Sequence, residues 1–305
     1  MSGVGSRADN TPLLTPAAAR LRPAFGRVLP WLCIGAFFAF AAAFMLAPTI
    51  MLAIQSVMDD GAFTLDFISS LGEYRYRVAF ENSLVLSVAS ATVGVLAGAP
   101  IAHAVIKPGA PRWLRSAVTS FSAVAANFAG VPLAFAFIST LGSLGLLTRL
   151  LKQAGIDIYA LGFSLYSITG LTLTYSYFQV PLMVIIVTPA FEALRPSWRE
   201  AAESMGASSW QYWRMVGLPV LAPSLLSGWI LLFGSAFSAY ATAYALTSGN
   251  IGLVTTEISN VLSGNVMASP QTGAALSVGM IVVMVAVLAV SAGLAQRAAR
   301  WMPHR

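Results

Sequence analysis

Residues 199–219 read Arg-Glu-Ala-Ala-Glu-Ser-Met-Gly-Ala-Ser-Ser-Trp-Gln-Tyr-Trp-Arg-Met-Val-Gly-Leu-Pro. The stretch is polar and compact, and its residue types favour helix. It lies between two long apolar segments, 158–191 and 215–256, that contain no Asp, Glu, Lys or Arg. A connection between membrane spans needs only a few plain residues. A structured one at the membrane face predicts a docking surface for another protein.

Working outward, the rest of the chain supplies the membrane. Of its 305 residues, 57% are hydrophobic and 9% charged, against about 25% charged in soluble domains. Six stretches lack charge altogether: 28–58, 82–106, 116–148, 158–191, 215–256 and 258–296. Each exceeds the roughly 20 residues that cross about 30 Å of hydrocarbon as a helix. One charge at a helix centre costs about 2.5–3.5 kcal/mol on insertion scales, so the spacing of charges is informative. The runs are continuously apolar rather than alternating, which favours helices over barrel strands. The fold class read from this is an all-α membrane protein with six transmembrane helices, near 31–55, 83–106, 117–140, 164–188, 220–246 and 272–295. Residues 1–27 are expected to be a disordered cytoplasmic N-terminus, 28–296 the membrane domain and 297–305 a cytoplasmic tail.

With the N-terminus inside, 13 of the 17 Lys and Arg fall on the cytoplasmic side, and seven of the 11 Asp and Glu on the outer side. The positive-inside rule therefore places both termini in the cytoplasm. The net charge of +6 is a matter of topology and needs no nucleic acid. Cys33, the only cysteine, lies in the first span and allows no intrachain disulfide. The apolar run around it is longer than a signal-peptide core of about 7–15 residues, so an uncleaved first span is expected.

Several local features carry expectations. Gly94 and Gly98 have the spacing that lets membrane helices approach closely. Asn127, Gly130 and Pro132 are expected to interrupt span three, and Gln179 and Pro181 span four; Pro189 should end or kink the latter. In the connection that follows, Ser197 and Glu200 have capping-box spacing, as do Ser208 and Gln211. Gly206 is placed to end the first short helix in a left-handed conformation. Pro219 is placed to open span five. Two short helices hinged at Gly206 are thus predicted.

Glu200-Ala201-Ala202, Gly206 three residues beyond Glu203, Val216 and then Leu218-Pro219 resemble the "EAA" signature of permease subunits of type I binding-protein-dependent ABC importers. Val216 stands where that family usually has Ile. Asn82-Ser83-Leu84 at the start of span two, Pro181-Leu-Met and Pro223-Ser-Leu-Leu-Ser-Gly228 are similar to the family as well, and the resemblance covers about 80–295. It implies that the helix carrying Arg199, Glu200, Ala201, Ala202, Glu203 and Met205, with Gly206, Leu218 and Pro219, docks on a cytoplasmic ATP-binding subunit. It also implies a second permease, here expected to be a paralogue in a heterodimer, an extracytoplasmic solute-binding protein, and a place in the bacterial inner membrane. Residues 233–249 resemble the polyamine-type branch, which includes phosphonate, thiamine and ferric-iron relatives. A small organic ion such as a polyamine or aminoethylphosphonate is the solute so implied.

The chain cannot power transport itself. A P-loop needs a Lys directly after Gly, and neither Lys107 nor Lys152 follows one. ATP and Mg therefore belong to the partner ATPase, and no cofactor is expected in this chain. No catalytic or metal site is expected either, since His103 and His304 form no ligand pair. Candidate pathway residues are the polar groups of spans three to five: Asn127, Tyr175, Tyr177, Gln179, Ser238, Tyr240, Thr242 and Tyr244. Intramembrane polar groups usually face a bundle interior; helix–helix hydrogen bonding is the competing reading for each. The rival class is a self-contained secondary transporter or channel. It would have no need of 196–214, and would usually carry intramembrane carboxylates, which the spans lack.

Overall fold

The computed structural model describes residues 31–59, 61–107, 109–264 and 269–299, with side chains to 293. The expected disordered segment 1–27 and most of the tail lie outside the described residues. The fold divides at Ile54 into two compact units.

The first unit carries helix α1 (Trp31–Gln55). A π-helical turn, Ala42–Leu46, widens it, with the Ala47 N–H reaching the Ala42 carbonyl. Pro48 follows two residues later. A proline inside a helix has no N–H to give and its ring crowds the carbonyl four residues back. A turn of wider pitch relieves that crowding.

The second unit opens with a two-stranded hairpin, β1 (Met58–Asp59) and β2 (Ala62–Phe63), and a short helix, α2 (Asp66–Ser69). Its longest elements are α3 (Tyr74–Ile106) and α7 (Ile168–Glu192), which pack along each other. Between them run α4 (Arg112–Asn127), α5 (Val131–Leu141) and α6 (Leu146–Gln153). After α7 come α8 (Pro196–Ser204), α9 (Ser209–Tyr212), α10 (Leu218–Ser238), α11 (Ala241–Thr247), α12 (Val254–Leu262) and α13 (Pro270–Ala299).

Six described helical segments are long and apolar enough to cross a membrane: Trp31–Gln55, Tyr74–Ile106, Val131–Gln153, Ile168–Glu192, Ser209–Ser238 and Pro270–Gly293. Their boundaries differ from expectation. The third is displaced from the expected 117–140, and the fifth begins at Ser209 rather than 220. Span two starts nine residues earlier, at Tyr74 rather than 83. Span three is split, as Asn127, Gly130 and Pro132 predicted: α4 stops at Asn127, and Gly130, at φ 79°, turns the chain into α5. Span four is not interrupted. The helix runs through Gln179, Pro181 and Pro189 to Glu192; packing against neighbouring helices lets a span continue where proline removes a bond. Span five, expected unbroken over 220–246, stops at Ser238 and resumes at Ala241.

Glycine decides the closest approach. The faces of Gly94 and Gly98 are buried against α7 and α10. A Cβ on Gly98 would sit 2.7 Å from Met183 Cβ and 2.8 Å from the Val180 carbonyl oxygen. Around this contact cluster Ala91, Met183, Val184, Val187, Leu221, Leu232 and Phe233. Trp229, stacked on Phe233 at 5.6 Å, donates its indole N–H to Thr92 Oγ1 at 3.1 Å.

At the start of α3 the Asn82-Ser83 pair has a physical task. Asn82 Nδ2 donates to the Gly252 carbonyl at 3.0 Å, and Ser83 Oγ accepts from the Val254 N–H at 3.0 Å. The pair thereby satisfies backbone groups at the entrance to α12, whose N-terminus would otherwise be buried unpaired. Beside it Arg75 Nη2 lies 2.5 Å from Glu257 Oε2, a carboxylate that is 5% exposed. Glu257→Ala should destabilise the protein by about 1–3 kcal/mol. That is less than the 3–5 of a fully buried pair, because Arg75 is partly exposed and can rehydrate. A thermal melt in detergent checks this; an unchanged melting temperature would mean the ion pair does not hold α12.

Candidate functional site

The connection between spans four and five folds as one unit. Pro196 occupies the first position of α8, where its fixed φ suits a helix and its missing N–H is not needed. This overturns the capping box expected at Ser197 and Glu200. The cap position is Arg195, which makes no side-chain cap bond, since proline starts the helix two residues ahead of Trp198. Ser197 lies in the first turn and Glu200 just beyond it, so neither is at the cap. The other end is as expected. Gly206 sits at φ 79°; its N–H donates to Glu203 at 2.9 Å and that of Ala207 to Ala202 at 3.0 Å. This double bond pattern closes the helix through a left-handed residue.

The second capping box is present. Ser208 Oγ accepts from the Gln211 N–H at 3.3 Å, and Gln211 Oε1 accepts from the Ser208 N–H at 2.7 Å. The helix it starts does not stop, however. It passes through a π-helical turn, Trp213–Gly217, into α10, and Ser209–Ser238 is continuous. Pro219 is therefore not at the start of span five. It follows the π turn by two residues, as Pro48 follows the one in α1. Gly217 makes the turn possible: a Cβ there would lie 2.5 Å from the Trp213 ring.

The predicted residues divide between two faces. Ala202 is buried, and Ala201 is exposed. Arg199 Nε pairs with Glu203 Oε1 at 2.8 Å, an exposed contact of roughly 0.3–0.5 kcal/mol. Arg199, Glu200 and Glu203 line a cleft of about 590 Å³ at the ends of α3, α4 and α7. Met205 at the tip of α8 is 80% exposed, and Trp210 just beyond the hinge 70%. Gly206 is exposed between them, and Leu218 and Pro219 are exposed at the start of α10.

Trp213 ties this unit to the spans, a role the sequence reading did not assign. The His103 ring meets Trp213 edge-on at 4.8 Å and Phe191 at 5.4 Å. An Arg115–Glu192 ion pair joins α4 to α7 beside them. The only local signal for Trp213 was a large aromatic residue in a polar connection. Its partners come from α3 and α7 and could not be read from spacing.

The candidate pathway residues do not gather at one point. Tyr175, Gln179 and Thr242 are buried and bonded between helices. Tyr175 OH donates to Ala239 O at 3.1 Å, and Gln179 Nε2 to Ser90 Oγ at 3.1 Å. Thr242 Oγ1 accepts from the Gly130 N–H at 2.7 Å. The first and last of these bonds hold the breaks in spans five and three, and the second joins α7 to α3. Tyr240 accepts from Ser259 Oγ at 2.9 Å and stacks on Tyr244 at 5.2 Å. Tyr177 meets Phe128 and Phe137 edge-on. Asn127 and Ser238 bond only their own helices, to Ala123 O and Gly234 O, and are exposed, as is Tyr244. Among the described residues no group of three His, Cys, Asp or Glu could hold a metal ion.

Residues 94–302 match the family described as binding-protein-dependent transport system inner membrane component. The chain is 35% identical over 86 residues to the sulfate transport system permease protein CysT of Escherichia coli, covering 28% of this chain and 31% of that protein. It is 27% identical over 209 residues to the molybdenum transport system permease protein ModB of Mycobacterium tuberculosis, covering 67% of this chain and 75% of that one. Among solved structures, a bacterial ABC transporter involved in import of the acidic polysaccharide alginate superposes with a TM-score of 0.71 at 18% identity, over 91% of this chain and 99% of that chain. That likeness concerns the fold. The matched family is one of transport subunits rather than enzymes. From the extent of the match, this multi-pass membrane protein belongs to the binding-protein-dependent transport system inner membrane components, the permeases of ABC importers.

Proposed function

We propose that the chain forms the translocation pathway of an ATP-driven importer for a small tetrahedral oxyanion of the sulfate or molybdate type. The element 196–217 couples it to a cytoplasmic ATPase. The observation that carries the coupling is geometric. The hinge at left-handed Gly206 projects Met205 on one side and Trp210 on the other, while Trp213, in the continuation of the second helix, packs on His103 and Phe191 at the ends of spans two and four. Such an element is rigid enough to transmit a displacement and apolar enough at its tip to seat in a groove. Arg199, Glu200 and Glu203, on the cleft side, serve its orientation; Ala201, Met205 and Gly206 are the docking edge.

The oxyanion reading is supported by the names of the sulfate and molybdenum relatives. It also suits a pathway whose carboxylates within the spans, Glu81 and Glu192, lie toward span ends, with none in the charge-free stretches between. Asn127, Ser238 and Tyr244 offer exposed polar groups, and Tyr177 a half-buried one, for weak, transient contact, whereas Tyr175, Gln179 and Thr242 serve to hold the helices. Residues 233–249 keep a polyamine or aminoethylphosphonate solute as the second reading. The mechanism needs two cytoplasmic ATP-binding subunits that hold ATP and Mg, a second permease as a paralogous partner, and a solute-binding protein outside. Both termini are then cytoplasmic, in the inner membrane.

Uptake in a host strain lacking its own sulfate and molybdate importers tests the reading, with the chain expressed beside its genomic neighbours. Labelled sulfate or molybdate should accumulate only when the ATPase is active. Accumulation of putrescine or aminoethylphosphonate instead, with neither oxyanion taken up, would reverse the choice of solute. Uptake that persists without any ATPase would remove the importer reading altogether.

A further inference from the structure

The cleft beneath α8 has more charge than its ion pairs consume. Arg115 is paired with Glu192 and Arg199 with Glu203. Lys107, Arg195 and Glu200 also line it and make no ion pair among the described residues. Two cations and one carboxylate thus remain free. Ile106, Leu194 and Phe191 supply apolar wall between them. At about 590 Å³ the space falls in the range of organic-ligand sites, about 300–1,000 Å³.

Its depth in the membrane is fixed by its neighbours. It lies where α3 ends at Ile106, α4 begins at Arg112 and α7 ends at Glu192. Trp113 on α4 is 71% exposed beside this level. Exposed tryptophan at span ends marks the headgroup zone, and basic pockets between helices there recognise lipid headgroups.

We propose that the cleft holds the zwitterionic headgroup of an aminophospholipid. Its phosphate diester lies against Lys107 and Arg195, its ammonium against Glu200, and its glycerol end against Ile106 and Leu194. Phosphate and ammonium together match the unpaired set in sign and number; an anionic headgroup would leave Glu200 facing a negative ligand. Lys107 closes α3, whereas Arg195 is the cap of α8 and Glu200 lies midway along it. The bound headgroup therefore bridges span two to the coupling helix and sets the angle at which α8 leaves the membrane. The inference rests on the membrane placement of this end and not on the solute or the ATPase, so either can fail without the other.

Native mass spectrometry of the full chain in detergent tests it, with phosphatidylethanolamine, phosphatidylglycerol or soluble phosphoethanolamine added. The wild type should retain phosphatidylethanolamine over phosphatidylglycerol. The double variant Lys107→Gln, Arg195→Gln should weaken retention about 25-fold, at roughly fivefold for each lost cation. Glu200→Gln, which keeps shape and fold, should abolish the preference between the two lipids while retention persists. Equal retention of the two lipids by the wild type, or undiminished retention by the double variant, would overturn the proposal. So would displacement of the lipid by equimolar phosphoethanolamine, which would make the cleft a site for a soluble phosphate ester.

Discussion

Gly206→Val is expected to cut solute uptake about tenfold or more while the protein still inserts at the wild-type level. Nothing lies within 4 Å of a Cβ added at Gly206, so crowding is not the reason. The backbone is: at φ 79° an L-residue pays about 1–2 kcal/mol, and a β-branched one more. To escape, the chain must leave the left-handed region. It then loses the bonds from Gly206 to Glu203 and from Ala207 to Ala202, and Met205 swings relative to Trp210. Each 1.4 kcal/mol is tenfold in the population that can dock, so uptake should fall tenfold or more. The spans are untouched, which leaves insertion unchanged. Gly206→Asn, tolerant of the same conformation, should retain most of the activity. Wild-type uptake by the valine variant, measured at equal membrane abundance, would remove the coupling role from α8.

What could be read ahead of the structure was local. Charge-free runs gave the number of spans and their helical character, Gly206 and the Ser208–Gln211 box located two helix ends, and Asn127, Gly130 and Pro132 located a break. Each signal acts over a few residues and needs no partner. The misreadings came where two local signals competed or where a distant group decided. Pro196 and the Ser197–Glu200 spacing both propose a helix start, and proline prevails because it sets φ outright. Pro219 reads as a start, yet the π turn before it lets the helix pass. Span four stays whole through Gln179 because that side chain is spent on Ser90, across the interface with α3. Span five breaks at Ala239 with no proline or glycine at the break; the Ala239 carbonyl is instead taken by Tyr175, 64 residues away in sequence. The cleft under α8 was invisible for the same reason. Its unpaired Lys107, Arg195 and Glu200 come from segments far apart in sequence, and only the structure shows which charges are already spent.

The Gly94–Gly98 spacing, common in membrane helices whatever their packing, becomes a sharp expectation once its neighbours are known. Gly98→Val should cost about 3 kcal/mol or more, the upper end of what overpacking a tight core costs. Its Cβ would lie 2.8 Å from the Val180 carbonyl oxygen. That atom belongs to the backbone of α7 and cannot rotate away, so α7 as a whole must shift from α3. Gly94 is less exacting: its close neighbour at 2.7 Å is Leu232 Cδ1, the free end of a flexible side chain. Gly94→Ala should therefore lose only about 1 kcal/mol. Gly293, with nothing within 4 Å, gives the control, because alanine there should be neutral or slightly favourable in a helix. Melting temperature in detergent separates the three, and Gly98→Val should also lose uptake through loss of the fold rather than of docking. If Gly98→Val melts with the wild type, α3 and α7 do not meet through these two glycines, and the packing on which α8 and the cleft are mounted has to be redrawn.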